Sequence, residues 1–205
     1  MQKAAVRIKT EERQVALLRG VNVGQANRVA MADLRRLVAD LGFQDASTLL
    51  NSGNVVFTSP KGTPRESAMR IEKALKSKLG VTCRVIALSA GELADVIARN
   101  PLLSIADNPS RLIVAVLANP SDRSKLAPLE KRDWGRDALA VGPHAAYLWC
   151  VEGVIASTLN AAVNKALGEE VTSRNWATIL KLQEMLEKSW EENRGRNQTH
   201  RPGGA

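Results

Sequence analysis

The run of residues 15–58 constrains the fold more than any other part of the chain, because it contains a complete strand, helix and hairpin pattern. A short apolar run at 15–18 predicts a buried strand. Apolar residues then recur three and four positions apart over 31–41, which predicts an amphipathic helix. Two further apolar runs flank the turn-forming residues 51–54 and predict a hairpin.

The residues that follow complete a βαββαβ order. The apolar stripe of Ala68, Ile71 and Leu75 predicts a second helix that ends at Gly80. Residues 82–88 then predict a strand. A four-stranded antiparallel sheet with two crossover helices on one face is the ferredoxin-like plan, so we expect residues 14–89 to form one such half.

The rest of the chain repeats this order without obvious sequence identity. We predict a linking helix at 90–99, a strand at 111–118 and a helix at 120–131 that is capped by Ser121. A hairpin of 137–141 and 145–151 follows, and then a helix that ends at Gly168. A strand at 170–172 and a last helix at 175–186 complete the prediction. The expected fold is α+β, with two ferredoxin-like halves in tandem and a C-terminal helix. The second half with both flanking helices spans 90–188, and the termini 1–13 and 189–205 are predicted to be flexible.

Three ordered segments carry a resemblance to a known family. LLRGVNVGQAN with Met31 behind it, LNSGNVVF and VTSRNWATILKL resemble the bacterial family of unknown function DUF1697 over about residues 15–186. The resemblance implies ferredoxin-like α/β units and brings no established activity. The family usually has a second glycine after Gly24, where this chain has Gln25, so the effect of Gln25 on the first loop stays open.

The charge balance favours polyanionic partners only mildly. Lys and Arg number 29 against 21 Asp and Glu, which gives +8 and a pI near 9.9. Residues 1–13 contribute +2 and residues 189–205 contribute +1, so +5 remains for the folded part. The excess is spread along the chain and is not a nucleic-acid-binding tract.

Other residue types exclude several kinds of protein. Cys83 and Cys150 lie far apart in apolar surroundings, so we expect two reduced, buried thiols. With only two histidines, no metal site is expected, and no cofactor is predicted. The longest aliphatic run, residues 112–118, is too short to span a bilayer, and the N-terminus lacks an apolar leader. We therefore expect a cytoplasmic protein with no membrane contact.

The loop after the first strand is the first candidate site. Its members are Arg19, Gly20, Asn22, Gly24 and Asn27. A guanidinium and converging backbone N–H groups at the start of a helix suit an anion. The alternative is that Arg19 pairs with a carboxylate while the glycines only turn the chain. Neither a P-loop nor a dinucleotide-binding fingerprint is present.

The second candidate is the triplet Ser52, Gly53 and Asn54. The serine enzymes that recognise penicillin carry a similar triplet, but their other two motifs do not occur here. A hairpin turn is the favoured interpretation, with Gly53 at positive φ and Asn51 or Asn54 closing the turn by side-chain hydrogen bonds.

The third candidate, residues 172–176, is predicted to open the last helix. Thr172 or Ser173 would cap it, and Arg174, followed by Asn175, would hold an anion there. Alternatively, Arg174 joins the two halves through a salt bridge. If the last helix starts near the first loop, Arg19 and Arg174 share one anionic ligand.

These candidates favour a non-catalytic binder of an anionic or phosphorylated small molecule near Arg19 and Arg174. The first alternative is a nucleic-acid-binding protein that uses a basic surface, although the βαββαβ order here offers only Phe57 for base stacking. The second is an enzyme of unknown reaction, for which no acid–base pair can be assembled. A homo-oligomeric scaffold is a further class, and the oligomeric state stays open.

Overall fold

The computed structural model describes residues 11–24 and 27–198, with side chains described as far as residue 188. Eight strands form two four-stranded antiparallel sheets. The first half contains β1 (Glu12–Leu18), α1 (Met31–Asp40), β2 (Gln44–Leu49), β3 (Asn54–Ser59), α2 (Pro64–Leu79), β4 (Val85–Ser89) and α3 (Ala90–Ala98). The second contains a 3₁₀ helix (Pro101–Ser104), β5 (Leu112–Leu117), a 3₁₀ helix (Pro120–Leu126), α4 (Ala127–Glu130), β6 (Ala138–Val141), β7 (Ala145–Trp149), α5 (Thr158–Leu167), β8 (Val171–Asn175) and α6 (Trp176–Gln198).

The two sheets have the same topology. Their strand orders are β2-β3-β1-β4 and β6-β7-β5-β8, and every neighbouring pair is antiparallel. Each half therefore has the ferredoxin-like order and is followed at once by a further helix, α3 or α6. The predicted tandem of two ferredoxin-like halves is confirmed.

Three apolar clusters hold these layers together. One packs the outer face of the first sheet against α1 and α2, and another packs the outer face of the second sheet against α5 and the 3₁₀ helix Pro120–Leu126. The third, central cluster joins the inner faces of both sheets to α3 and α6, and it contains Tyr147, Trp149 and Trp176. The sheet faces opposite the crossover helices are therefore buried inside the molecule. This burial is a large part of what keeps the halves together.

Local sequence explains the main helix boundaries. Thr63 and Glu66 form a capping box at the start of α2, which ends at Gly80 in the left-handed conformation. The hydroxyl of Ser157 accepts a hydrogen bond from the N–H of Asn160 and caps α5. These boundaries are close to those that the apolar stripes predict.

The predicted helix at 120–131 is wrong in its type and its cap. Most of this segment is a 3₁₀ helix that starts at Pro120, and its N-cap is Asn119 rather than Ser121. Pro128 lacks the N–H that an α-helix through this segment would use, so a separate short helix begins at Ala127.

The chain differs from the predictions near its ends as well. The last strand is Val171–Asn175 rather than 170–172, so Arg174 lies on a strand and not in a helix start. α6 extends to Gln198, beyond the point where the flexible terminus is predicted to begin, and β1 already begins at Glu12. Residues 1–10 and 199–205 lie outside the described residues, and so does Gln25.

The described residues add three general observations. Cys83 is half-buried and Cys150 is buried, both are free thiols, and burial raises the pKa of each. Within 11–24 and 27–198, no group of three His, Cys, Asp or Glu side chains is arranged to hold a metal ion. No helix in the same residues has both the length and the apolar character that crossing a bilayer requires.

Candidate functional site

The first loop is anchored at the end of β1. The N–H of Leu18 donates to the carbonyl of Gly53, and the N–H of Arg19 donates to the carbonyl of Arg84, both at 2.8 Å. The half-buried Arg19 side chain crosses to the other half, where Nη1 donates to the carbonyl of Val171 at 2.5 Å. Arg19 therefore pairs with a backbone carbonyl and not with a carboxylate.

Asn22 organises the loop from inside. Its amide nitrogen donates to the carbonyls of Val29 and Asn51, and its amide oxygen accepts from the N–H of Val29. Its own N–H donates to the carbonyl of Asn27. These bonds close the loop on itself and attach it to the β2–β3 turn, so Asn22 and Asn27 serve the shape of the loop.

The loop backbone takes an unusual path. Gly20, Asn22, Gly24 and Asn27 all have positive φ, between 52° and 65°. Glycine and asparagine tolerate this region better than other residues, which explains their presence at these four positions. Gly24 lies at the exposed tip, where its carbonyl accepts a hydrogen bond from the Arg28 side chain.

The second candidate is the hairpin turn that the sequence predicts. Gly53 has φ +73°, and an added Cβ would lie 2.5 Å from Val21 Cγ2 and 2.7 Å from Leu18 Cβ. Asn54 donates to the carbonyl of Leu49 and to the hydroxyl of Ser52. Gly53 is thus required both by its backbone conformation and by close packing against the end of β1.

Arg174 connects β8 to this turn. Its Nε donates to the amide oxygen of Asn54 at 2.5 Å, and its Nη2 donates to the carbonyls of Leu18 at 2.8 Å, Ser52 at 3.0 Å and Gly53 at 3.3 Å. Its Nη1 donates within β8, to the hydroxyl of Thr172 and the carbonyl of Ser173. All five guanidinium N–H groups are therefore engaged.

The two arginines make a reciprocal contact between the halves. Arg19 reaches from the first half to Val171, while Arg174 reaches from the second half to Leu18 and the turn. No carboxylate lies within 4.0 Å of either guanidinium among residues 11–24 and 27–188. Burial without a counterion lowers the pKa of Arg174 to about 10.

The remaining predicted residue, Asn175, faces away from this contact. Its side-chain oxygen accepts from the N–H and the hydroxyl of Thr178, so Asn175 caps α6. The predicted caps Thr172 and Ser173 are wrong, because both residues lie within the strand. The structure brings together Arg19, Gly20, Asn22, Ser52, Gly53, Asn54, Thr172 and Arg174, whereas Gly24 and Asn27 lie further out in the loop and Asn175 belongs to the helix start.

A neighbouring ion-pair network was not predicted from the sequence. Arg84 contacts Glu170 at 2.7 Å and Glu72 at 3.5 Å, and Glu170 also accepts from the side chain of Asn119. These residues come from both halves and are far apart in the sequence, so no local pattern points to them.

The arrangement can attract an anion. Two cations with only uncharged acceptors lie beside an exposed loop, where the N–H groups of Gly20 and Val23 have no acceptor among the described residues. Arg174 has no donor left, so it contributes charge and holds the turn in place. A ligand would be contacted by Arg19 and the loop backbone.

Comparisons with known proteins agree with this fold. The sequence model of a family described as a protein of unknown function, DUF1697, matches residues 12–147. A solved structure of a conserved bacterial protein from Streptococcus pneumoniae is similar, with a TM-score of 0.72 and 22% sequence identity over 86% of this chain and 99% of that chain. At this identity the likeness shows the fold alone. No curated protein matches the sequence.

Proposed function

Because this chain belongs to the DUF1697 family, whose function is unknown, we propose its function from its own geometry: it binds an anionic or phosphorylated small molecule at the first loop, without catalysis. The ligand contacts Arg19 and the loop backbone around Gly20. Arg174 adds a second positive charge and fixes the turn of Ser52, Gly53 and Asn54 on which the loop rests.

The observation that carries this proposal is the uncompensated charge at the contact between the halves. A partly buried guanidinium normally gains a carboxylate partner, because removing a charge from water is costly. Here Arg19 and Arg174 bond only to carbonyl, hydroxyl and amide oxygens. A bound anion would supply the missing negative charge and would strengthen these interactions in a site partly screened from water.

The second half offers independent support. Its equivalent connection, from β5 to the next helix, consists of residues 118–119, whereas the connection from β1 to α1 spans residues 19–30. The fold therefore needs only two residues to connect the first strand of a half to the next helix. A longer loop that is rich in positive-φ residues and has exposed N–H groups is consistent with a binding role.

The main alternative, nucleic-acid binding, lacks an aromatic platform on the described sheets. Phe57 packs against Phe43 under the helices, with ring centroids 4.6 Å apart, and the inner sheet faces are buried. Stacking on exposed strands, as in RNA-recognition domains, has no surface here. Binding through charge alone would lose affinity steeply with added salt.

The test is a thermal-shift screen with inorganic phosphate, nucleotides, sugar phosphates and coenzymes, and with short DNA and RNA, at low and moderate salt. A saturating small ligand raises the free energy of unfolding by about 3 kcal/mol at one hundred times its Kd. We expect a salt-resistant shift from one class of small anion, and we expect Arg19→Ala to weaken it at least tenfold.

The matched control is Arg36→Ala, which removes one positive charge from an exposed position on α1 beside Asp33. It should leave the shift unchanged. The proposal is wrong if no small anion stabilises the protein, if both variants weaken binding equally, or if only polynucleotides bind and their effect disappears with salt.

A further inference from the structure

A cavity lies at the opposite end of β1 from the proposed anion site. Its volume is about 430 Å³, within the range of small-molecule sites. The start of β1, the first turn of α3 and one face of α6 form its walls. Arg13 and Arg19 are six residues apart on one strand, hence about 20 Å, so the two sites are distinct.

The floor of this cavity contains a buried cation. Arg13 is only 9% exposed. Its Nη2 donates to the carbonyl of Met185 at 3.1 Å, and its Nε is buried without an acceptor. No carboxylate lies within 4.0 Å of it among the described side chains, although the charge of Asp45 acts on it from further away. Only one of its N–H groups therefore has an acceptor among the described residues, which is costly for a buried guanidinium.

One further donor faces the same space. At the start of α3, Ser89 and Glu92 satisfy each other in a capping box. The pairing of Gln14 with Ser89 places the N–H of Ala90 in the β1–β4 ladder, so the N–H of Gly91 is left at the positive end of the helix. The cavity thus presents the guanidinium of Arg13 and the N–H of Gly91.

The rim carries the opposite charge. Glu11 and Glu187 are exposed at the rim, and the carboxylate of Glu187 is held in position by a hydrogen bond from Gln183. The side chain of Glu12 instead accepts a hydrogen bond from Gln14, on the opposite face of β1 from Arg13. Two carboxylates above one buried guanidinium repel a simple anion, while the guanidinium opposes a simple cation.

We propose that this cavity binds a zwitterionic small molecule of the amino-acid type. Its carboxylate bonds to Arg13 and the N–H of Gly91, and its ammonium group lies between the carboxylates of Glu11 and Glu187. Leu186 and Ala90 offer an apolar wall for an aliphatic side chain. This site goes beyond the proposed function and does not depend on it.

The test uses the full chain and isothermal titration calorimetry. The probes are the free proteinogenic amino acids, followed by a matched set: leucine, 4-methylpentanoic acid, which lacks the ammonium group, and 3-methylbutylamine, which lacks the carboxylate. We expect an aliphatic amino acid to bind at least about tenfold more tightly than either matched compound, because each loses one charged contact.

Two variants measure how much the buried guanidinium and a rim carboxylate each contribute to amino-acid binding. Arg13→Gln should weaken amino-acid binding at least about tenfold, and Glu187→Gln about two- to fivefold, since Glu187 is exposed. Glu184→Gln is the matched control, because it removes a carboxylate from an exposed position on α6 outside the cavity. If Arg13→Gln does not fold, Glu187→Gln and the matched compounds still test whether the cavity binds a zwitterion.

Three results would overturn the assignment. The first is that no amino acid binds at millimolar concentration. The second is that the amine or the acid alone binds as tightly as leucine, which would make the cavity a cation or an anion site. The third is that Glu187→Gln and Glu184→Gln have equal effects.

Discussion

The two halves of the molecule share one topology but differ at the contact between them. In equivalent registers, β1 pairs Leu18 with Val85 of β4, and β5 pairs Leu117 with Val171 of β8. Three residues further along, the first half has Leu88 and the second has Arg174. Leu88 lies in the central apolar cluster, whereas Arg174 bonds to the turn of the other half. The difference shows that the fold itself does not require an arginine here.

The test with the largest expected effect replaces Arg174 with leucine, the residue type that the first half has at the equivalent position, Leu88. Arg174→Leu should lower the free energy of unfolding by about 4 kcal/mol, because several oxygens at the end of β1 and in the turn lose their donor and leucine cannot replace it. Urea unfolding followed by circular dichroism measures this loss.

The control for that experiment is Arg36→Leu on the exposed face of α1, which should change the stability by no more than about 0.5 kcal/mol. A loss below about 1 kcal/mol in Arg174→Leu would mean that the central apolar cluster alone holds the halves together.

The next effect concerns a glycine in each half. Gly53→Ala should cost about 3 kcal/mol, since it combines a positive φ with a Cβ placed 2.5 Å from Val21. Gly135 in the second half also has a positive φ, +65°, but nothing lies within 4 Å of an added Cβ. Gly135→Ala should therefore cost only about 1 kcal/mol. Equal losses in urea unfolding would show that the packing of the turn against β1 is adaptable.

The smallest expected effect on stability concerns the thiol of Cys83, in the first half. Burial, with a contribution from Glu72, raises the pKa of Cys83 from 9.0 to about 11, and burial also raises that of Cys150. At pH 8 the thiolate fraction of Cys83 is then about one hundredth of that of an ordinary thiol, so alkylation should be slower by about that factor. Mass spectrometry of iodoacetamide labelling, with the urea-unfolded chain as the control, measures it.

The same raised pKa has a consequence for stability. Between pH 9 and about 11 the folded state keeps the Cys83 proton that the unfolded chain releases, so the free energy of unfolding falls as the pH rises through this window. Cys83→Ala should reduce that slope. A thiol that reacts at the unfolded rate at pH 8 would mean that the start of β4 opens readily.

Much of the fold follows from sequence patterns, because helix stripes and turn residues are local. The stripes of α1, α2 and α5 and the turn at Gly53 are confirmed for this reason. The site is less predictable. The strand position of Arg174 depends on pairing with β5, and its acceptors in the first half lie more than 100 residues away. Arg13 falls in a stretch that composition alone predicts to be flexible, yet packing against α6 buries it.

The ion pair between Arg84 and Glu170 has a further consequence. The N–H of Arg19 donates to the carbonyl of Arg84, and the N–H of Ala118 donates to that of Glu170, so the two residues hold equivalent positions in the halves. A symmetric dimer of one ferredoxin-like unit would bring two arginines or two glutamates together there, and like charges repel. The contact therefore demands that the two copies differ, which a single continuous polypeptide guarantees and an assembly of identical subunits does not.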